Sequence, residues 1–382
     1  MGLFCSKPIN PVKPTAQKAL KSALRSNERD QIEYDKRLEE ERAKSKARAL
    51  DEYLKQEKAK YDAQQQEPRI LILGSSDSGK STFLKQLKIL HGNGFTNEEL
   101  EKAKKTVIFS LFAICRKIVV ESPPEKVQPY KNIENLTIEN AKDAIPADFT
   151  EIMLNMWSDP IIKEIYPTFG DIFPQSSRYF FDKLKELLEH SYVFTQEDML
   201  LMRTVTQNIS DNVFEVEMRG SKTKLHFFDV SGLKYHRKRW LPYFENVQLI
   251  VFLVAVSSYD QVLLEDKDVN RMVDAIKLFE DIVNHPLLAK SDMVVFFNKK
   301  DLFDIKIRNI SLKTYFPTYT GEDFSSSESM TFFRDTFKSK NRKPDKLITF
   351  HTTCCTDTKA MSKVIPSVLK SIVNEQITQM GI

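Results

Sequence analysis

A glycine-rich run that follows a short apolar segment carries the clearest chemical signal in the sequence. Residues 74–81 read Gly-Ser-Ser-Asp-Ser-Gly-Lys-Ser and match the pattern G-x-x-x-x-G-K-[ST]. In such a loop the glycines let backbone N–H groups surround a phosphate, Lys80 reaches the β- and γ-phosphates of a nucleoside triphosphate, and the Ser81 hydroxyl binds Mg²⁺. The candidate phosphate-binding residues are Gly74, Ser76, Asp77, Ser78, Gly79, Lys80, Ser81 and Thr82.

A second polar motif indicates which base is bound. Residues 298–301 read Asn-Lys-Lys-Asp and directly follow the apolar run 293–297. A carboxylate at the end of this motif accepts hydrogen bonds from the N1–H and the 2-amino group of guanine, a pattern that adenine does not offer. A site built for such a pairing rejects a base that lacks it. The candidate base-binding residues are Asn298, Lys299, Asp301 and, through its backbone N–H, Cys355.

Short apolar runs with helical patterns between them provide the elements that position these motifs. The runs are residues 69–73, 224–228, 249–254, 293–297 and 347–350. Their continuous apolar character is typical of strands buried on both faces of a parallel sheet, and their alternation with helices predicts an α/β architecture. Residues 93–199 differ, because apolar residues recur there every three or four positions and glycine is absent from 95 to 169. This stretch is predicted to be an inserted all-helical domain.

The first residues fit a lipidation signal. Met-Gly-Leu-Phe-Cys-Ser matches M-G-x-x-x-[ST], which predicts N-myristoylation at Gly2, and Cys5 is a candidate for palmitoylation. One myristoyl chain binds a membrane only marginally, so a second chain or a basic patch is needed, and residues 1–30 offer six Lys and Arg against two acids. A tail in which Gly2 occurs by chance is the alternative. Residues 15–67 contain neither proline nor glycine and are rich in good helix formers, which predicts a long solvated helix.

Charge and cysteine content exclude several classes of protein. The formal net charge of +4 gives no case for a nucleic-acid partner. The four cysteines form no C-x-x-C pair, which argues against structural zinc and against a disulfide framework. No apolar run approaches the roughly 18 residues that would span a bilayer. We therefore expect a chain that reaches a membrane through its lipidated start.

The motifs, in this order, resemble those of the α subunits of heterotrimeric G proteins. The likeness is strongest in residues 240–248 (Trp-Leu-Pro-Tyr-Phe-Glu-Asn-Val-Gln), 296–303 (Phe-Phe-Asn-Lys-Lys-Asp-Leu-Phe) and 353–358 (Thr-Cys-Cys-Thr-Asp-Thr). The resemblance implies a Ras-like P-loop GTPase sheet with an inserted helical domain and a long N-terminal helix. The implied domains are residues 1–67 for the lipidated N-terminus and long helix, 68–92 with 200–382 for the Ras-like domain, and 93–199 for the helical insertion.

The resemblance also implies roles for residues that carry no signal by themselves. Residues 198–206 resemble switch I, where Arg203 matches the family's catalytic arginine finger and Thr206 matches a threonine that binds Mg²⁺. Residues 229–233 resemble switch II, in which Asp229 matches the Mg²⁺-linked aspartate and Gly232 the glycine whose N–H contacts the γ-phosphate. Asp77 stands where the family has a glutamate that clasps the arginine finger. The implied cofactors are GTP or GDP with Mg²⁺, and the implied metal ligands are Ser81, Thr206 and Asp229.

Three departures from the family pattern surround the implied reaction centre. Switch II reads Asp-Val-Ser-Gly-Leu where the family has D-V-G-G-Q, so Leu233 replaces the glutamine that orients the attacking water. Ser76 replaces a glycine beside the γ-phosphate, and Asn208 replaces a glycine on the surface where GTPase-accelerating regulators pack. These changes predict GTP binding with weak hydrolysis. The alternatives are a competent GTPase in which His236 or Tyr235 replaces the glutamine, and a scaffold that no longer switches.

Partners and location follow from the resemblance alone. It implies a G-protein βγ dimer at the N-terminal helix and switch II, a G-protein-coupled receptor at the C-terminus, and an effector of unknown identity. The chain ends in Gln-Met-Gly-Ile, so Met380 stands where some members have a cysteine, and the usual final aromatic residue is missing. The implied location is the cytoplasmic face of the plasma membrane, by lipid anchorage.

Overall fold

The computed structural model describes most of the chain from residue 67 onward. The described residues are 46, 52–53, 67–136, 147–204, 206, 209–218, 221–263 and 265–380. The chain divides into two compact units, Met1–Gln66 and Glu67–Ile382. In the first unit, residues 46, 52 and 53 are helical and exposed. The rest of the predicted N-terminal helix, with Gly2 and Cys5, lies outside the described residues.

The second unit is built on a twisted sheet. Its strands in the described part of the chain are β1 (Arg69–Leu73), β2 (Ser210–Met218), β3 (Ser221–Asp229), β4 (Val247–Ala255), β5 (Asp292–Asn298) and β6 (Ile348–Thr352). They lie in the order β2-β3-β1-β4-β5-β6. β2 pairs antiparallel with β3, and the other neighbours are parallel. The carboxyl ends of the parallel strands therefore meet at one edge, which is where ligands bind in open α/β sheets.

Helices fill the connections between the strands. They are α1 (Lys80–His91), α2 (Asn97–Glu121), α3 (Pro124–Val127), α4 (Ala147–Ser158), α5 (Pro160–Ile165), α6 (Ser177–Asp182), α7 (Leu184–Leu188), α8 (Gln196–Leu201), α9 (Arg271–Val283), α10 (Lys300–Lys306), α11 (Ser326–Ser339) and α12 (Thr358–Met380). Shorter 3₁₀ helices span Gln128–Asn135, Tyr166–Ile172, Lys234–Tyr243, Val256–Ser258, Pro286–Leu288 and Leu312–Thr314. None of the helices within the described ranges is long and apolar enough to cross a membrane.

Both faces of the sheet are covered, which explains the continuous apolar runs of its central strands. Successive side chains of a strand point to opposite faces. Accordingly, Leu71 of β1 packs in a core with Phe279 of α9, on one face. Ile72 packs with Phe83 of α1 and Ile365 of α12 in the core of the other face. The sheet and these helices give the α/β architecture that the sequence predicts.

The helical stretch between β1 and β2 has an apolar core of its own. Its buried residues run from Ala103 to Met199 and include no residue of the sheet. α2, the longest helix of this stretch, begins at a capping box in which Thr96 and Glu99 satisfy each other's backbone N–H groups. Its apolar residues fall on one face because they recur at helical spacing, and that face meets α4 and the 3₁₀ segment that follows α3.

Candidate nucleotide-binding site

The glycine-rich loop lies between β1 and α1, at the carboxyl edge of the sheet. Two of its glycines adopt backbone angles that side chains disfavour, with φ of 144° at Gly74 and 106° at Gly79. A Cβ on Gly74 would lie 2.3 Å from the Leu253 carbonyl oxygen, and one on Gly79 would lie 2.1 Å from Nδ2 of Asn298. Only glycine therefore allows the loop to pass this close to β4 and to the end of β5.

Lys80 lies at the start of α1 and is buried. Its Nζ donates hydrogen bonds to the carbonyl oxygens of Gly74 (3.0 Å) and Ser75 (2.9 Å). Burial lowers the pKa of Lys80 to about 8, although the nearby carboxylate of Asp229 opposes the shift. Free backbone N–H groups and the helix dipole favour an anion at this end of α1. The loop thus places a buried cation at the amino end of a helix, where an anion is favoured.

The three residues implied as metal ligands form a connected series through the Thr206 hydroxyl. Ser81 Oγ lies 3.0 Å from Thr206 Oγ1, and Thr206 Oγ1 donates to Asp229 Oδ2 at 3.0 Å. The other carboxylate oxygen, Asp229 Oδ1, is buried without a hydrogen-bond partner in the described part of the chain. Burial raises the pKa of Asp229. Two hydroxyls beside a buried carboxylate with an unsatisfied oxygen are the hard oxygen donors that Mg²⁺ prefers, so these residues fit the implied ion.

Asn298 connects the loops on the side of the pocket that would receive the base. Its Nδ2 donates to the Ser78 carbonyl oxygen (2.9 Å), and its Oδ1 accepts from the backbone N–H of Cys355 (2.9 Å). Asn298 therefore joins the phosphate loop to residues 353–356. This corrects the expectation for Cys355, because its N–H is used by Asn298 and is not free for a guanine oxygen. Asp301 is exposed and lines the pocket.

Asp77 has partners other than the one that the family pattern implies. Its φ is 58°, and its carboxylate pairs with Lys299 Nζ at 3.0 Å and with Arg271 Nη2 at 3.5 Å. Within the described residues no hydrogen bond joins Asp77 to Arg203, so the expected clasp on the arginine finger is absent there. Burial acts to raise the pKa of Asp77, but the charges of Lys299, Arg271 and Arg203 outweigh it and hold this pKa below its usual range. Asp77, which is shorter than the family's glutamate, thus forms its ion pairs with Lys299 and Arg271.

Arg203 is placed by contacts that the sequence does not signal. It follows α8, and Lys85 of α1 donates hydrogen bonds to the carbonyl oxygens of Met199 and Met202, both at 2.8 Å. A cation at the carboxyl end of a helix is favoured by the helix dipole. Burial lowers the pKa of Lys85 to about 8. Lys85 therefore fixes the segment that carries Arg203 against the helix that begins at Lys80.

Switch II approaches the phosphate loop closely. A Cβ on Gly232 would lie 2.5 Å from Lys80 Nζ and 2.6 Å from the Ser76 backbone nitrogen, so this residue must be glycine for the two loops to meet. Leu233 and Ser76 line the same pocket as Arg203. His236 and Tyr235 are not among the residues that line it. Asn208 lies outside the described residues.

These residues surround one cavity of about 280 Å³. Among the predicted site residues, those that line it are Ser76, Asp77, Ser78, Gly79, Lys80, Ser81, Thr82, Arg203, Thr206, Gly232, Asn298, Lys299, Asp301 and Cys355. Gly74 and Asp229 lie behind this lining, Gly74 against β4 and Asp229 behind the Thr206 hydroxyl. The phosphate loop, the oxygen cluster and the base-side loops, gathered at the carboxyl edge of a mostly parallel sheet, define a P-loop nucleotide-binding protein.

Comparison with known proteins identifies the family. A family model described as G-protein alpha subunit matches residues 44–372. The guanine nucleotide-binding protein alpha-17 subunit of Caenorhabditis elegans is 34% identical over 328 residues, which cover 82% of this chain and 90% of that relative. The alpha-2 subunit of Caenorhabditis briggsae is 32% identical over 358 residues, covering 90% and 98%. The alpha-3 subunit of C. elegans is 32% identical over 348 residues, covering 88% and 96%.

The chain therefore belongs to the G-protein α subunit family. This confirms the resemblance seen in the sequence, and with it the predicted α/β Ras-like fold with an added helical domain. It is a guanine-nucleotide-binding, signal-transducing α subunit, and members of this family are in general GTPases that act with βγ and receptor partners.

Proposed function

We propose that this α subunit is a membrane-tethered switch that holds GTP and hydrolyses it slowly. The observation that carries the proposal is the position of Leu233, which lines the same pocket as Ser76 and Arg203. A leucine neither donates nor accepts a hydrogen bond, so it cannot orient a water molecule for attack on the γ-phosphate. The residues that would bind nucleotide remain assembled around the same pocket.

Binding of the phosphates is assigned to the loop and to switch II. Lys80 and the amides at the start of α1 hold the β- and γ-phosphates, and the Gly232 N–H, which lies beside Lys80, meets the γ-phosphate. Ser81, Thr206 and Asp229 hold Mg²⁺, which when bound neutralises the charge shared by these phosphates. Asp301 accepts hydrogen bonds from guanine, in the base-side loop that Asn298 holds in place.

The weak step is the positioning of the nucleophile. Arg203 stabilises negative charge that develops between the β- and γ-phosphates, but a guanidinium carries only donors and does not accept a proton from water. Loss of one positioned polar group typically costs ~2.7–4 kcal/mol, or a factor of ~10²–10³ in rate. Applied to the ~10⁻² s⁻¹ known for α subunits with their arginine in cis, this loss leaves hydrolysis on the scale of hours.

Contacts of the switch II residues argue against the competent-enzyme alternative. His236 Nδ1 lies 2.9 Å from Ser231 Oγ, and the Tyr235 ring packs edge-on against His236 at 4.4 Å between centroids. Tyr235 is 65% exposed. Neither side chain lines the pocket, so neither takes the place of the missing glutamine in this arrangement. The scaffold alternative is disfavoured because a chain released from nucleotide binding has no reason to keep Ser81, Thr206 and Asp229 in contact.

The remaining parts of the proposal concern partners and location. We assign membrane attachment to lipidation at Gly2 and Cys5, at the cytoplasmic face of the plasma membrane. We assign βγ binding to the N-terminal helix and to switch II, where exposed Tyr235 and Leu241 provide apolar surface next to basic residues. Receptor coupling is assigned to the C-terminus, residues 379–382. These assignments rest on family membership and on the sequence motifs.

Single-turnover hydrolysis tests the proposal. The purified protein is first titrated with fluorescent GTP, GDP and ATP, and we expect the guanine nucleotides to bind far more tightly than ATP. Radiolabelled GTP is then bound, free nucleotide is removed, and phosphate release is followed after Mg²⁺ is added. We expect a half-life of hours. Release at the rate usual for the family would show that the competent-enzyme alternative is correct, and equal affinity for ATP would overturn guanine selectivity.

A further inference from the structure

Ser231, which replaces a glycine of the family pattern, is the point where the helix after switch II is attached. Ser231 is buried, and its Oγ lies 2.9 Å from Nδ1 of His236. Its carbonyl oxygen accepts a hydrogen bond of 3.1 Å from Nε1 of Trp240, which is itself buried. The 3₁₀ helix Lys234–Tyr243 is thus joined through two of its side chains to a single residue at the exit of β3.

A third side chain of this helix reaches the next residue. Arg237 Nη2 lies 3.5 Å from the Gly232 carbonyl oxygen, and its guanidinium forms a two-pronged ion pair with Asp274 of α9, at 2.9 and 2.5 Å. Both partners of that pair are largely buried. Together these contacts hold the 3₁₀ helix Lys234–Tyr243 to Ser231, to Gly232 and to α9.

Gly232 connects the helix Lys234–Tyr243 to the phosphate end of the pocket. This residue follows Ser231 directly and is so close to the phosphate loop that a Cβ on it would lie 2.6 Å from the Ser76 nitrogen. A displacement of Ser231 therefore moves the Gly232 N–H relative to Lys80. The position of the helix Lys234–Tyr243 against Ser231 and α9 is the docked position. It is coupled to the position of the Gly232 N–H through one peptide unit.

We propose that the Ser231–His236 hydrogen bond is an internal anchor that biases the helix Lys234–Tyr243 toward its docked position and thereby raises the preference of this protein for GTP over GDP. The inference rests on the proposed function, in which the Gly232 N–H meets the γ-phosphate. GTP gains from the docked position because it carries that phosphate, and GDP does not. A ligand that favours one state binds more tightly when that state is already populated.

The expected size follows from the worth of one hydrogen bond. A net intramolecular hydrogen bond changes an equilibrium constant about fivefold. Removing the Ser231 hydroxyl therefore weakens binding of a GTP analogue by up to about fivefold and leaves the GDP affinity nearly unchanged. His236→Phe removes the other half of the same bond. The double variant is expected to lose no more than either single variant, because both substitutions remove one interaction.

The test measures the affinities of GTPγS and GDP for the full chain and for Ser231→Ala, His236→Phe and the double variant. His236→Asn places an amide near the position of Nδ1 and is expected to retain the original ratio of affinities. Lys238→Gln, on an exposed residue of the same helix, is the matched control. Unchanged GDP affinity shows that each variant is folded.

Three results would overturn the anchor: an unchanged ratio in Ser231→Ala, additive losses in the double variant, or an equal change in Lys238→Gln. Failure of the unmodified protein to bind guanine nucleotides would instead refute the proposed function. Fluorescence of Trp240 in a Trp157→Phe background gives a second readout. We expect the emission with GDP and with GTPγS to differ more in Ser231→Ala than in the unmodified protein, because fewer GDP-bound molecules of the variant have the helix docked. A difference of equal size in the unmodified protein would contradict the proposal.

Discussion

Restoring a glutamine at position 233 is the perturbation that bears most directly on slow hydrolysis. Leu233 lies in the pocket wall with Ser76 and Arg203. Leu233→Gln supplies an amide that both donates to and accepts from a water molecule. If the missing group accounts for ~10²–10³ in rate, as one positioned polar group typically does, the variant should recover part of that factor. The half-life of bound GTP should then fall from hours to minutes.

Ser76 determines how much of this gain is realised. The Ser76 backbone nitrogen is closely packed against Gly232, and Ser76 lines the same cavity as Leu233. We therefore expect Leu233→Gln alone to be partly obstructed. Adding Ser76→Gly should give a gain larger than the product of the two single gains, because neighbouring groups in one reaction centre do not act additively.

The assay is single-turnover release of phosphate from bound GTP. The unmodified protein, Leu233→Gln, Ser76→Gly and the double variant are all measured at the same Mg²⁺ concentration. Leu241→Gln is the matched control, because Leu241 is 52% exposed and does not line the pocket. In the faster double variant, Arg203→Lys should lower the rate again, because lysine lacks the planar guanidinium that can donate two parallel hydrogen bonds. The reasoning is refuted if Leu233→Gln is no faster than Leu241→Gln.

Three further predictions address base selection, protonation and attachment. Asp301→Asn should weaken the binding of guanine nucleotides and favour xanthine nucleotides, because the 2-oxo group of xanthine accepts a hydrogen bond from an amide. Competition binding with XTP and GTP measures this preference. A retained preference for guanine would show that Asp301 does not contact the base. Burial lowers the pKa of Lys80 to about 8, so Lys80 loses its charge as pH rises through that value, and GTP affinity should fall above about pH 8. Titrations from pH 6.5 to 9.5 test this, and Lys80→Met should bind weakly with a flat profile over the upper part of that range. Gly2→Ala should release the chain from membranes in cell fractionation, with Ser6→Ala as the neighbouring control, and full retention would remove Gly2 from the proposed anchor.

The parts of the site that the sequence predicts are those that depend on local geometry. The phosphate loop is recognisable because Gly74 and Gly79 need their φ angles within a few residues of Lys80. The role of Asp229 rests on the family resemblance, whereas Asn298 is recognisable because it directly follows an apolar strand and the carboxyl ends of parallel strands meet at one edge of the sheet. For the phosphate loop and Asn298, residue type and position along one element are enough to place the side chain.

Contacts between distant segments were not predictable in the same way. Lys85 contacts the carbonyl oxygens of residues more than a hundred positions away, and in the sequence it resembles any lysine on a helix. Arg271 reaches Asp77 and the Ser76 carbonyl oxygen from the start of α9, and no pattern marks it. The partners of Asp77 and the use of the Cys355 N–H were misjudged for the same reason, since each depends on which loop is nearest.

Strand β2 was missed for a different reason. Its residues alternate in exposure, with polar and charged side chains interleaved, because it lies at the edge of the sheet and pairs only with β3 among the described strands. The other strands were recognised by continuous apolar runs, which indicate burial on both faces. β2 lacks such a run and therefore lacks the signal, whereas β6, at the other edge of the sheet, overlaps the apolar run 347–350.

Helix α1 has a consequence for the way this protein can change over evolution. Two successive residues of α1 reach opposite walls of the pocket: Lys85 holds the segment before Arg203, and Gln86 donates to the Cys355 carbonyl oxygen at 2.8 Å and to the Thr358 hydroxyl at 3.1 Å. One helix therefore connects the segment before Arg203 to the base-side loop. Inserting or deleting one residue before Lys85 would rotate both side chains by about 100° and break both connections at once. The length of α1 between the phosphate loop and Lys85 is consequently as strictly constrained as the loop itself.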